Sequence, residues 1–61
     1  MTRADWKKQV KRRDPLWEYK RNAIGVACDF RYPTETLEAI VNATTEIEVT
    51  RALTYARRKV A

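Results

Sequence analysis

Residues 26–41 read V-A-C-D-F-R-Y-P-T-E-T-L-E-A-I-V, from Val26 to Val41. This stretch holds the strongest alternation of apolar and polar residues in the chain, followed by Pro33 and the start of a clear helical pattern. Two incompatible structures fit its first part. Either residues 24–32 form a strand that pairs outside the chain, or they are the end of a long helix inside a bundle.

The strand interpretation rests on an apolar period of two. Large residues alternate with small or polar ones over nine positions, with Gly25 ending a preceding helix. A lone strand leaves its backbone groups unpaired, so it would have to pair with its copy in a second chain. The large set is Ile24, Val26, Cys28, Phe30 and Tyr32.

The helix interpretation starts upstream, at Asp14 and Pro15. Asp is a good helix cap and proline favours the first helical turn, so a helix is predicted to begin at Pro15. Extended to Phe30, it places a polar stripe at a spacing near i, i+4, i+7 and i+11, which also satisfies the helical period. That stripe is Glu18, Arg21, Asn22, Gly25 and Asp29.

A two-helix hairpin follows Pro33, with predicted helices over residues 34–43 and 46–60. Leu37, Ile40 and Val41 form the inner stripe of the first helix. Thr45 and Glu48 have the spacing of a capping box and open the second helix. The basic residues of its last turn suit the negative end of the helix dipole, so they need no ligand to explain them.

The first 13 residues are predicted to be a basic arm or a short helix at the edge of a single domain spanning 1–61. Thr2 and Asp5 have capping-box spacing, and Trp6 and Val10 share one face. Six of the eleven residues 3–13 are basic and one is acidic. This pattern indicates either a phosphate-binding surface or an ordinary solvated face. The basic face comprises Arg3, Lys7, Lys8, Lys11 and Arg12.

Composition restricts the function classes. A chain of 61 residues has a small core, and with one cysteine and no histidine it has neither an internal disulfide nor a zinc site to stabilise it, so we expect an oligomer. The net charge of +5 favours a polyanion or an acidic protein as partner. No apolar run is long enough to span a bilayer, so we expect a cytoplasmic protein without a membrane partner.

Catalytic groupings are not apparent. Without histidine or serine, and with Gly25 as the only glycine, the chain lacks common nucleophile–base pairs and phosphate-cradling loops. The acidic pairs of the two C-terminal helices lie in first turns, where capping explains them. We expect no enzyme activity and no cofactor.

The order strand, proline, acidic-start helix, turn and capped helix resembles the ribbon-helix-helix repressors of the Arc type, over residues 24–60. The local match is F-R-Y-P-T-E-T-L-E-A-I, residues 30–40. The resemblance implies a dimer whose antiparallel ribbon enters the major groove of DNA. It also implies base contacts from Ala27, Asp29 and Arg31, through a thymine methyl, cytosine N4 and guanine respectively.

The sequence therefore predicts a mostly α-helical fold: a short N-terminal helix, a helix from Pro15, a β-ribbon strand over 24–32 shared between two chains, and the hairpin of 34–43 and 46–60. The alternative is an all-α bundle of three or four helices. The first fold predicts a small dimeric DNA-binding regulator, a transcriptional repressor of phage or plasmid type acting on duplex DNA. The second predicts a helical interaction module that binds an acidic protein surface.

Overall fold

The computed structural model describes residues 2–60, which form an all-α fold. Its helices are α1 (Arg3–Lys8), α2 (Trp17–Asp29), α3 (Thr34–Asn42) and α4 (Glu46–Val60). The hairpin predicted over 34–43 and 46–60 is confirmed to within one residue. Of the two alternatives for the N-terminal segment, a basic arm or a short helix, residues 3–8 form the short helix. The next helix, α2, begins two residues after Pro15, with Leu16 as its N-cap.

The predicted ribbon strand over 24–32 is wrong, because these residues continue α2 to Asp29 with Phe30 as the C-cap. The helical period buries Ala23, Ile24 and Ala27, whereas the alternation would have buried every second residue. Phe30 is instead 64% exposed. A helix satisfies its backbone hydrogen bonds within the chain, whereas a lone strand needs a second molecule to do so.

The end of α2 explains how the chain turns toward α3. The backbone N–H of Tyr32 donates to the carbonyl of Ala27 at 2.9 Å, and that of Arg31 donates to Cys28 at 3.1 Å. These two bonds form a Schellman motif, in which the residue after the C-cap is left-handed. Here that residue is Arg31, with φ of 55°. Glycine usually occupies this position, because a Cβ is strained there.

A single core joins all four helices. Ile24 of α2, Ile40 of α3 and Val49 of α4 are fully buried at its centre. Trp6 of α1 and Val10 after it are buried in the same cluster. Because Trp6 and Val10 both pack into this core, α1 is held against α2. The N-terminal segment is therefore part of the packed domain.

Both predicted capping boxes have their main bond. At α1, the hydroxyl of Thr2 accepts from the N–H of Asp5 at 3.2 Å, and the Asp5 carboxylate accepts from the N–H of Thr2 at 3.0 Å. At α4, the hydroxyl of Thr45 accepts from the N–H of Glu48 at 3.2 Å. The Glu48 carboxylate accepts from the side chain of Thr44 as well. The Thr2 and Thr45 hydroxyls thereby satisfy N–H groups of the first turn that have no partner within the helix.

Candidate nucleic-acid interface

The net positive charge of the chain is concentrated in its N-terminal segment. Residues 3–13 contain six of the 13 Lys and Arg and one of the eight Asp and Glu, which is a net charge of +5. The remaining seven basic residues are balanced by seven acidic ones, so the rest of the chain sums to zero. A polyanion would therefore be attracted to the surface formed by α1 and the segment that follows it.

Buried apolar residues orient this basic surface. Because Trp6 and Val10 face the core, Lys8, Lys11 and Arg12 are directed to solvent, where all three are exposed. Successive turns hold the backbone after α1: the N–H of Val10 donates to Lys7 at 3.2 Å, and the N–H of Asp14 donates to Lys11 at 2.9 Å. The basic side chains thus project from a backbone that has its own hydrogen bonds.

The Trp17 ring contacts one cation of this surface, Arg12, and adds a further one, Arg21. The guanidinium carbon of Arg21 lies 4.5 Å from the Trp17 ring centroid, and that of Arg12 lies 5.5 Å from it. Cation–π contacts at these distances are attractive and restrict the side chains. The ring therefore joins a guanidinium of α2 to one from the basic segment. We call Lys8, Lys11, Arg12, Arg13, Trp17 and Arg21 the basic surface.

Few of the cations are neutralised by carboxylates. Within residues 2–60, the ion pairs are those of Arg3 with Asp29 and of Lys20 with Asp14. The one acidic residue of α1, Asp5, has its pKa lowered chiefly by the backbone N–H of Thr2, because its carboxylate is used in the cap. The cations of the basic surface consequently remain available to an external anion.

The structure separates the three predicted base-reading residues. Ala27 is fully buried in the core, Asp29 accepts a hydrogen bond from the Arg3 guanidinium, and Arg31 occupies the left-handed position after α2. Their assigned roles required an extended ribbon, in which alternate side chains face the groove. Those roles are lost with the strand.

The predicted phosphate-contacting residues are also divided. Arg3 is tied to α2 through Asp29, and Lys7 is half-buried beside Gly25, with its Nζ 3.9 Å from where a Cβ on that glycine would lie. Lys8, Lys11 and Arg12 are exposed. Sequence reasoning missed Arg21 as a neighbour of Arg12, although the four-residue spacing of Trp17 and Arg21 on a helix was a usable signal.

Comparisons of this chain with models of known protein families, with curated proteins and with solved structures find no match. They neither support nor oppose the ribbon-helix-helix resemblance. In the part of the chain that the structure describes, no helix has the length and apolar character needed to cross a bilayer.

Proposed function

We propose that this protein is a small DNA-binding regulator that holds duplex DNA through the basic surface, by contacts to the phosphate backbone. The observation that carries the proposal is the location of the entire +5 net charge on residues 3–13, where Arg12 shares the Trp17 ring with one cation from outside that segment, Arg21. It is a binding protein without catalytic chemistry. A cytoplasmic location, with direct access to DNA, belongs to the same proposal.

The mode of binding follows from the chemistry of the side chains. Each lysine or arginine that neutralises a phosphate releases condensed counterions, so affinity depends steeply on salt. Arginine presents a planar fork that matches two phosphate oxygens, and stacking on an aromatic ring leaves that fork free. Arg12 and Arg21 are therefore oriented contacts, whereas Lys8 and Lys11 act as mobile point charges. Base reading by a ribbon is not part of this mechanism.

Fluorescence anisotropy with a labelled duplex of about 20 base pairs tests the proposal, over a series from about 50 to 300 mM salt. We expect micromolar or tighter binding at about 100 mM salt and a linear fall of log K with log salt. Lys11→Gln should weaken binding and reduce the magnitude of the salt slope by about 0.9.

Arg57→Gln is the matched control, since it also removes one exposed positive charge. Arg57 lies in the last turn of α4, where the helix dipole accounts for it. We expect its salt slope to equal that of the wild type. Equal losses in the two variants would mean that only total charge matters, and absence of binding by the wild type at about 100 mM salt would refute the proposal.

A second candidate is a helical interaction module that binds an acidic protein surface with the same cations. The all-helical fold of residues 2–60 favours it, since the ribbon that motivated base-specific reading is absent there. The duplex titration separates the two. A wild type that ignores DNA but binds an acidic protein, with Lys11→Gln weakening that binding, would favour the module.

A further inference from the structure

The outer face of α4 lies directly opposite its core face. At 100° per residue, Val49 and Ala56 point inward, where both are buried. The opposite side carries six residues, which we call the α4 outer stripe. These are Ile47, Thr50, Arg51, Thr54, Tyr55 and Arg58, all exposed.

Two large apolar side chains lie on this stripe. Ile47 is 64% exposed and Tyr55 is 66% exposed. Tyr19 of α2 borders the stripe, and its hydroxyl lies 2.9 Å from that of Thr50. Tyr19 and the residues of the stripe line an open groove of about 600 Å³. A helix face that borders a groove with exposed apolar anchors is suited to receive another helix.

The groove beside the stripe has an acidic end and a basic end. Glu46 lines it in the first turn of α4, and Arg58 lines it in the last turn. An identical helix laid across it in the antiparallel direction would place each acidic end against a basic end. Such a face is complementary to itself, which is the requirement for a two-fold symmetric interface.

We propose that the α4 outer stripe is the interface with a second copy of this chain, in an antiparallel two-fold dimer. With the two-fold axis near Arg51, Ile47 of each protomer meets Tyr55 of its partner, because the two residues lie equally far from the axis. The two Arg51 side chains meet at the axis itself, where their like charges weaken the dimer. Glu46 then falls within two residues, about 3 Å along the helix, of Arg58 of the partner.

The small size of the face is typical of a weak dimer. A helix of 15 residues is about 22 Å long, so one face of α4 with Tyr19 offers less than the roughly 800 Å² per partner of a standard interface. That standard area would be about one sixth of the chain's 4688 Å² surface. We therefore expect a dissociation constant on the order of 10 µM.

Charge exchange across the interface provides the main test, by sedimentation equilibrium from about 5 to 300 µM protein without DNA. Glu46→Arg and Arg58→Glu should each weaken dimerisation at least about tenfold, because each places like charges together at two symmetric positions. The double variant Glu46→Arg/Arg58→Glu should recover most of the affinity. Within one chain these residues are 12 positions, about 18 Å, apart, so recovery can arise only between protomers.

A second pair of variants tests the apolar contact. Ile47→Ser should weaken the dimer at least about fivefold, whereas Phe30→Ser should leave it unchanged, since Phe30 is equally exposed at 64% but lies off the stripe. Circular dichroism confirms that each variant folds. A wild type that is monomeric at about 300 µM, a double variant as weak as the single ones, or equal effects of the two serine variants would overturn the proposal. Because DNA is absent, these outcomes are independent of the proposed DNA binding.

Discussion

The ammonium of Lys20 donates to the carboxylate of Asp14 at 2.7 Å and to the carbonyl of Val41 at 3.0 Å. Lys20 is only 2% exposed, and a lysine side chain is rarely buried to this extent unless it has partners of this kind. Val41 is in the last turn of α3, where carbonyls lack helical partners and the dipole favours a cation. One buried side chain thus joins the turn before α2 to the end of α3.

Because of this ion pair, we expect the folded protein to lose stability in acid. The hydrogen bond from Lys20, followed by the one from the Leu16 N–H, lowers the pKa of Asp14 below its ordinary value of 3.8. Because the folded-state pKa is the lower one, the stabilisation is complete above about pH 5 and disappears as pH falls through that folded-state pKa. Urea unfolding at several pH values should show this decline.

Asp14→Asn identifies the carboxylate responsible. The variant should be less stable than the wild type at neutral pH, and its stability should decline less between about pH 5 and pH 3. Asp5→Asn is the matched control, because Asp5 also has a lowered pKa but lies in an exposed cap. If Asp14→Asn had the pH profile of the wild type, the decline would come from Asp5 and from Glu48, whose pKa the Thr44 hydroxyl lowers.

The C-terminal hairpin was predictable because several local signals agree there. Pro33 precedes α3, and Thr45 with Glu48 marks the start of α4, as the structure confirms. Caps and dipole charges act within a few residues, so sequence spacing reports them directly.

Residues 24–32 could not be assigned in the same way. A run of nine residues fits both a period of two and a period of 3.6 when small residues such as Ala27 suit either face. The packing of α2 against three other helices decides between them, and this contact lies outside the segment. The role of Lys20 was also missed, because the two groups it joins meet only in the tertiary fold.

Gly25→Ala should stabilise the protein by about 1 kcal/mol, the difference in helix propensity between the two residues. Gly25 lies inside α2, and the nearest atom to an added Cβ would be Lys7 Nζ at 3.9 Å, an ordinary van der Waals contact. Urea denaturation measures the change. If Gly25 instead ended a helix before a strand, alanine would be strained there, and the variant would be less stable than the wild type.

Arg31→Gly should stabilise the protein by up to about 1.5 kcal/mol. Relief of the left-handed backbone, with φ of 55°, contributes about 1–2 kcal/mol. The greater freedom of glycine in the unfolded chain offsets about 0.5–1 kcal/mol of that gain. Arg31→Ala is the control, because it removes the guanidinium but keeps the strained Cβ. A gain in both variants would assign the effect to charge rather than to backbone strain.

Trp17→Leu tests whether DNA affinity depends on the orientation of the two guanidinium groups or only on the number of positive charges. Leucine keeps an apolar side chain at this half-buried site but removes the ring that lies 4.5 Å from Arg21 and 5.5 Å from Arg12. At about 0.5–1 kcal/mol for each of the two cation–π contacts, or about 1–2 kcal/mol together, loss of orientation should lower DNA affinity by roughly fivefold to thirtyfold. The salt slope should stay that of the wild type, because no charge is removed.

Lys11→Gln has the opposite signature, with a reduced slope. Anisotropy titrations at three salt concentrations measure both quantities, with circular dichroism as the check on folding. Unchanged affinity in Trp17→Leu would show that the stacked arginines bind as simple point charges.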